Sequence, residues 1–165
     1  MIYLSALILF FSPFAGASPD MPMPVAVISG MAPTTLDKTL LLKLVNEARG
    51  KGVQCGDVWY PPVAPLSWNI QLEAAATLHS ADMFRKKYFS HIEDDGSTAN
   101  TRIEKAGYIW MTYGENIAFG YATEKDVVDG WLKSPGHCKN IMNKAFKEVG
   151  IGRVGDYWTQ DFGSK

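Results

Sequence analysis

The sequence predicts a single α+β domain, because helical patterns come early in the chain and the clearest strand patterns come late. The two strand patterns, at residues 149–154 and 157–162, flank Gly155-Asp156 and together are typical of a β-hairpin. This segregation favours an α+β fold over a doubly wound parallel sheet. Residues 18–165 also have the usual size of one domain with one hydrophobic core.

The N-terminal residues have the composition of an export signal. Residues 1–17 contain no Asp, Glu, Lys or Arg, and residues 4–14 are almost wholly apolar. That run is too short to span a bilayer but has the length of a signal-peptide hydrophobic region. Ala15-Gly16-Ala17 then matches the A-x-A arrangement that signal peptidase accepts. We predict a signal peptide at residues 1–17. An uncleaved N-terminal membrane anchor is the alternative, since no Lys or Arg precedes the apolar run.

A proline-rich leader is predicted at residues 18–33, ahead of a domain at residues 34–165. Proline recurs in the leader at positions 19, 22, 24 and 33, and this prevents a sustained helix. We therefore expect a secreted protein, extracellular or periplasmic, whose mature chain has no transmembrane segment.

The first two helices of the domain are predicted from apolar stripes. Thr34 with Asp37 resembles an N-terminal cap, and apolar residues follow at helical spacing until Gly50. Residues 52–65 are predicted to form a loop, because prolines cluster at its end. The second helix is predicted over residues 69–87. The residues on its apolar stripe are Leu72, Ala75, Ala76, His79 and Met83.

Shorter elements are predicted in the second half of the chain. A helix is expected over residues 100–106, ending at Gly107, and a strand over residues 116–119. Thr123 begins another S/T-x-x-D cap, and the helix after it carries Val127, Val128 and Trp131 on one face. Ser134-Pro135-Gly136 is expected to break that helix.

The charge and the cysteines limit the classes of partner and site. The formal net charge of −1 gives no electrostatic reason to expect nucleic acid or an anionic membrane as a partner. Cys55 and Cys138 are far apart in sequence, and such a pair usually forms one disulfide in an oxidising compartment. Two buried thiols or a metal-binding pair are the alternatives, although the short C-x-x-C spacing of zinc sites is absent.

Three histidines and one glutamate are the candidates for chemistry. His79 lies on an apolar helical stripe and is predicted to be a hydrogen-bonded core residue. His91 and His137 lie in predicted loop or turn contexts, from which side chains can converge on a cleft with Glu115. Two imidazoles and a carboxylate suit a divalent cation such as zinc and leave a position open. The alternative is an ordinary hydrogen-bonded network of His and Glu.

Several ordered motifs resemble those of bacterial SCP-domain proteins of the CAP superfamily (cysteine-rich secretory, antigen-five and pathogenesis-related-one proteins). Together the motifs cover residues 36–163, nearly all of the predicted mature chain. They are HSADM at 79–83, YFSH at 88–91, GENI at 114–117, W-x-x-SPGH at 131–137, EVGIG at 148–152 and YWTQDFG at 157–163.

The resemblance implies an α-β-α sandwich, in which a small, mostly antiparallel sheet lies between helical layers. It also implies a central cleft with two histidines and two acidic residues, of which His91, Glu115 and His137 match by motif. The fourth position does not match, because Ser134 lies where animal and plant members carry a glutamate after the tryptophan. Bacterial relatives often carry cysteines where Cys55 and Cys138 stand.

Three functions are compatible with this resemblance. The leading hypothesis is an extracellular binding protein, whose His/Glu cleft holds a divalent cation and takes an apolar or lipid ligand, since some CAP members bind sterols or other lipids. One alternative is a peptidase-like, metal-dependent hydrolase in which Glu115 acts as the base on metal-bound water. The other is a structural or adhesion module with a vestigial cleft. Because one fold can host unrelated activities, the sequence leaves open whether the protein is an enzyme. It also leaves the oligomeric state open.

Overall fold

A computed structural model describes residues 35–165 of the chain. The predicted signal peptide at residues 1–17 and the leader at residues 18–33 lie outside the described residues. The elements in chain order are α1 (Lys38–Lys51), β1 (Val53–Cys55), β2 (Val58–Tyr60), β3 (Ser67–Trp68), α2 (Ile70–Lys86), α3 (Ala99–Lys105), β4 (Thr112–Phe119), α4 (Glu124–Lys133), α5 (Pro135–Ile141), β5 (Glu148–Val154) and β6 (Tyr157–Ser164).

The central sheet has four strands in the order β3-β5-β6-β4. β6 pairs antiparallel with both β5 and β4, and the predicted hairpin closes at Val154 opposite Tyr157. β3 adds a short parallel pairing to β5, with Ser67 opposite Glu148. β1 and β2 form a separate antiparallel hairpin. The predicted small, mostly antiparallel sheet is confirmed.

Helices cover both faces of this sheet. α2 packs on β5 and β6 from one side, with α3 beside it. Apolar side chains of α1, α4 and α5 form the larger core with Val149 and Ile151 of β5 on the other side. Because successive residues of a strand point to opposite faces, Gly150 and Gly152 lie on the face under α2. A Cβ atom added to either glycine would overlap the α2 backbone, so the helix lies directly against the strand. The predicted three-layer arrangement is confirmed.

The helix ends differ slightly from the predicted positions. α1 is capped by Asp37, whose side chain accepts a hydrogen bond from the Leu40 backbone N–H, so the predicted cap at Thr34 was three residues early. The helix continues past Gly50 to Lys51. Its C-cap is Gly52, which adopts a positive φ of 76°. α2 begins and ends within one residue of its predicted bounds, and its predicted apolar stripe is buried.

Four elements were missed. β1 and β2 lie within the segment predicted as loop, and β3 and α5 were not predicted. The predicted break at Ser134-Pro135-Gly136 is confirmed, because α4 ends at Lys133. Pro135 also starts α5, since proline at the first position of a helix lacks only an N–H that would have no partner there. His137 therefore lies on a helix and not in a loop. None of the helices within residues 35–165 combines the length and the apolar character needed to cross a bilayer.

The predicted disulfide between Cys55 and Cys138 is confirmed. Their Cα atoms lie 5.5 Å apart, and the bond joins β1 to α5 across a sequence separation of 83 residues. Both cysteines are buried in the larger core. The bond therefore ties the β1–β2 hairpin to the helix that carries His137.

Replacing both cysteines by serine should lower the free energy of unfolding by about 4 kcal/mol, since the unfolded chain would lose a long covalent loop. Urea unfolding followed by circular dichroism would measure the change. The wild-type protein with and without reductant is the control, and its two curves should differ by a similar amount. A double variant as stable as the oxidised wild type would contradict the expectation.

Candidate functional site

The two candidate histidines line one cavity of about 670 Å³. His91 comes from the segment between α2 and α3, and His137 comes from the first turn of α5. The rest of the wall is mostly apolar. The lining residues are Phe89, Ser90, His91, Ile92, Ile117, Ala118, Phe119, Tyr121, Gly130, Trp131, Ser134 and His137. Glu115 is not part of the wall.

Glu115 lies behind His91. Its Oε1 atom is 2.6 Å from Nδ1 of His91, whose side chain is about half exposed, while the Glu115 side chain is only 4% exposed. A carboxylate accepts hydrogen bonds, so the imidazole in its neutral form carries its proton on Nδ1 and has a lone pair on Nε2. The structure thus brings His91 and Glu115 together, with Glu115 orienting the ring.

Arg102 of α3 holds this pair in place. Its Nη2 atom donates to Glu115 Oε2 at 2.6 Å and to the backbone carbonyl of His91 at 3.1 Å. Burial alone would raise the pKa of Glu115, but the hydrogen bond from His91 and the charge of Arg102 outweigh it and hold that pKa below its usual range. Glu115 therefore stays ionised. Nothing in the pattern of the short helix around Arg102 indicated this role.

His79 extends the same network into the core and is fully buried, as predicted. Its Nδ1 lies 3.1 Å from Glu93 Oε1, and its Nε2 lies 3.0 Å from the carbonyl oxygen of Ser90. Burial lowers the pKa of His79. The ring ties α2 to the segment that ends in His91, so His79 supports the site without lining the cavity.

His137 lines the cavity from a different element, helix α5. Its backbone carbonyl accepts a hydrogen bond of 3.2 Å from the Asn116 side chain, which links α5 to β4. Burial, and then electrostatic repulsion from the neighbouring His91 ring, lower the pKa of His137. The ring of His137 therefore stays neutral to a lower pH than a free histidine.

A second buried acid, Asp161, was missed by sequence reasoning. It lies on β6 directly opposite Glu115 and is fully buried. Within residues 35–165 neither of its carboxyl oxygens has a hydrogen-bond partner. Burial, and then the negative charge of Glu115, raise the pKa of Asp161 well above its usual range. Asp161 therefore keeps its proton to a higher pH than a free carboxyl group. Its strand pattern did not separate it from an ordinary residue.

The side chains at the site offer two imidazoles to a cation, but they do not offer a third protein ligand. Both oxygens of Glu115 are already bonded, one to His91 and one to Arg102. No three His, Cys, Asp or Glu side chains within residues 35–165 are grouped so as to hold a metal ion. A carboxylate behind a ligating imidazole is a common outer partner of metal sites. A cation in the cavity would therefore have His91 and His137 as its candidate ligands, with Glu115 as the outer partner of His91.

Within residues 35–165, neither Asp129 nor Glu148 takes the place of the absent fourth residue. Ser134 lies in the cavity wall, where it offers a hydroxyl and no charge. Asp129 pairs with Lys125 at the protein surface. Glu148 accepts hydrogen bonds from Tyr108 and Asn69 at the other end of β5.

Comparison with known families and proteins identifies the family to which the chain belongs. The model of the cysteine-rich secretory protein (CAP) family matches residues 42–162. Two curated Bacillus subtilis proteins, an uncharacterized protein (YkwD) and an uncharacterized membrane protein (YlbC), are 39% and 35% identical to the chain over 100 residues. These matches cover 59% and 61% of this chain but only 39% and 29% of the relatives, so the chain spans less than half of their length.

Solved structures show the same fold. An extracellular protein containing an SCP domain from Bacillus anthracis is 30% identical, with a TM-score of 0.68 over 77% of this chain and 40% of that protein. An outer surface protein from Borrelia burgdorferi is 23% identical, with a TM-score of 0.66 over 77% of this chain and 91% of that protein. The second likeness concerns the fold alone. The family match covers well over half of the residues, and the chain belongs to the CAP family of cysteine-rich secretory proteins.

Proposed function

We propose that the chain is an exported binding protein whose cleft takes an apolar ligand such as a lipid acyl chain. The observation that carries this proposal is the cavity of about 670 Å³, with a mainly apolar wall and two imidazoles. Its volume lies within the usual range for small-molecule sites. The apolar run at residues 4–14 and the disulfide support export, as does the extracellular relative from Bacillus anthracis.

The apolar wall includes side chains that remain in contact with solvent. Phe89 and Phe119 are 52% and 53% exposed, and their ring centroids lie 6.4 Å apart. Ile92 is 55% exposed on the same wall. Apolar side chains grouped at a concave surface gain free energy when an apolar ligand removes them from water.

The polar side of the cavity favours a ligand with one polar end. His137 is neutral over a wide pH range, and His91 is fixed in orientation by Glu115. Ser90 and Ser134 also line the cavity. In the sequence, Ser90 directly precedes His91 and Ser134 lies three residues before His137. Imidazoles and hydroxyls can hydrogen-bond a carboxyl, hydroxyl or ester group, while the aromatic side chains contact the apolar part.

Replacing Phe119 by serine should weaken the binding of a fluorescent fatty acid by about tenfold, since burial of one aromatic side chain stabilises by about 1.5 kcal/mol or more. Val58→Ser is the matched control, because Val58 is 50% exposed on β2 and outside the cavity wall. Fluorescence titration measures both variants. Equal affinity of the Phe119 variant and the wild type would exclude the cavity as the binding site. Native mass spectrometry of the secreted protein would detect a ligand retained from the host.

A second proposed activity is weak binding of a divalent cation, such as zinc, between His91 and His137. The fixed position of Glu115 behind His91 favours it, because the lone pair of Nε2 is available to a ligand. Because His91 and Arg102 occupy both oxygens of Glu115, this proposal gives Glu115 an orienting role in preference to that of the base of a hydrolase. A structural module with a vestigial cleft would bind neither lipid nor cation.

Isothermal titration with zinc tests the cation proposal. Heat should be released by the wild type at about pH 7.5 and much less at about pH 5.5, because protons compete for imidazole. His137→Ala should abolish the heat at both values. Asp129→Asn is the control, since Asp129 pairs with Lys125 at the surface, lies outside the cavity wall and should leave the zinc heat in place. Equal heats from the wild type and the His137 variant would contradict this proposal and leave the lipid proposal intact.

A further inference from the structure

The loop between α3 and β4 exposes two large apolar side chains. Ile109 is 82% exposed and Met111 is 74% exposed, more than any other large apolar side chain within residues 35–165. Tyr113, at the start of β4, is 39% exposed, and the Trp110 ring packs edge-on against it with centroids 4.7 Å apart. We call residues 109–113 the tip loop. It does not belong to the cavity wall.

The tip loop is held in a fixed conformation. The Met111 backbone N–H donates to the Ser164 carbonyl at 2.7 Å. The Trp110 indole N–H donates to Glu104 at 3.0 Å, and the Gln71 side chain donates to the Gly107 carbonyl at 2.7 Å. The apolar side chains of Ile109 and Met111 are thus presented to solvent on a backbone that is already ordered, which reduces the entropy cost of docking.

Lysines surround this end of the sheet. Lys147 donates its backbone N–H to Gly163, and Gly163 pairs with Tyr113 on the other side. Lys147 therefore lies two strand spacings, about 10 Å, from the tip loop. Lys165 lies 4.7 Å from the Tyr108 ring, which packs under the same end of β6. Neither lysine forms an ion pair within residues 35–165, and the same is true of the neighbouring Lys144.

The acidic groups at this end are already engaged. Glu104 accepts the hydrogen bond from Trp110. Glu148 accepts hydrogen bonds from Tyr108 and Asn69. These donors are neutral, so both carboxylates keep their negative charge. Lys144, Lys147 and Lys165 nevertheless outnumber Glu104 and Glu148 at this end, although the net charge of the whole chain is −1.

We propose that the tip loop and its lysines dock the protein on an anionic lipid surface. Exposed aliphatic side chains, a Trp-Tyr pair and flanking lysines together form the composition that binds at the boundary between lipid head groups and acyl chains. The lysines complement the negative potential of such a surface. A two-fold dimer through the same patch would instead place the lysines of one copy against those of the other.

The test places an environment-sensitive fluorophore on the full chain at Ile109→Cys. A second protein carries it at Val58→Cys, a position 50% exposed on β2. With vesicles of phosphatidylglycerol, the emission from position 109 should rise and shift to the blue, while the emission from position 58 should stay unchanged. With vesicles of phosphatidylcholine, neither should change. Because each signal reports one position, membrane binding through residues 1–17 would not produce this difference.

A charge reversal tests the electrostatic part of the proposal. Lys144→Glu with Lys147→Glu should raise the phosphatidylglycerol concentration needed for half of the signal at position 109 by at least tenfold. Lys125→Glu with Lys133→Glu changes the net charge equally on α4, and it should have little effect. The proposal is wrong if position 109 stays silent, if both positions respond alike, or if phosphatidylcholine acts equally well. It is also wrong if the signal rises with protein concentration alone, which would indicate a dimer.

Discussion

Gly150→Ala is expected to lower the free energy of unfolding by about 3 kcal/mol or more, or to prevent folding. A Cβ atom at this position would overlap the backbone of Leu72 and Glu73 in α2. Backbone atoms cannot move aside by changing a rotamer, so the whole helix would have to shift away from β5. That shift would also stretch the buried hydrogen bond of 2.9 Å between Ser80 of α2 and Thr159 of β6.

Gly50→Ala is the matched control for this prediction. No atom lies within 4 Å of a Cβ added there, and Gly50 is within α1. Alanine is the better helix former, so the control should be as stable as the wild type or gain about 0.5 kcal/mol. Urea unfolding followed by far-ultraviolet circular dichroism measures both proteins. A Gly150 variant within about 0.5 kcal/mol of the wild type would show that α2 does not rest directly on β5.

Replacing Arg49 by methionine should cost about 3 to 5 kcal/mol, since one buried guanidinium serves four backbone carbonyls. Arg49 is fully buried, and burial lowers its pKa to about 10, so it remains a cation at neutral pH. The distances to its acceptors are 2.8 Å to Ala64, 2.6 Å to Ile141, 3.0 Å to Asn143 and 3.4 Å to Phe146. Methionine fills much of the space but leaves all four carbonyls without this donor.

Lys51→Met provides the comparison on the same helix. Lys51 is exposed at the end of α1, so its replacement should change stability by less than about 0.5 kcal/mol. Arg49→Lys should fall between the two, because an ammonium keeps the charge but cannot reach four acceptors with a planar fork. Denaturant unfolding measures the three proteins. If Arg49→Met and Lys51→Met were equally stable, the carbonyls must be satisfied by water.

Elements with their own periodic pattern were predictable from sequence. The buried stripe from Leu72 to Met83 predicted α2, and alternation around Gly155 predicted the β5–β6 hairpin. β1, β2 and β3 have only two or three residues each. Such short strands exist because distant partners hold them: β3 pairs with β5, and the disulfide anchors β1. No local pattern could reveal them.

The sequence predicted which histidines and which glutamate belong to the cleft, but it did not predict the role of each residue there. The motifs indicated that His91, Glu115 and His137 come together, and the two histidines do share a cavity wall. The position of Glu115 behind His91 depends on Arg102, which α3 brings to it from outside those motifs. The raised pKa of Asp161 comes from its complete burial opposite Glu115, a property of tertiary packing that a strand pattern does not contain.

The disulfide and the cleft act on the same short helix, because Cys138 directly follows His137 on α5. A ligand that requires α5 in its native position binds more tightly when the disulfide is intact. Reciprocity of coupled equilibria then demands that the bound ligand make the disulfide harder to reduce by the same factor. For the ligand proposed above, the reduction potential of the Cys55–Cys138 bond would therefore report whether the cleft is occupied.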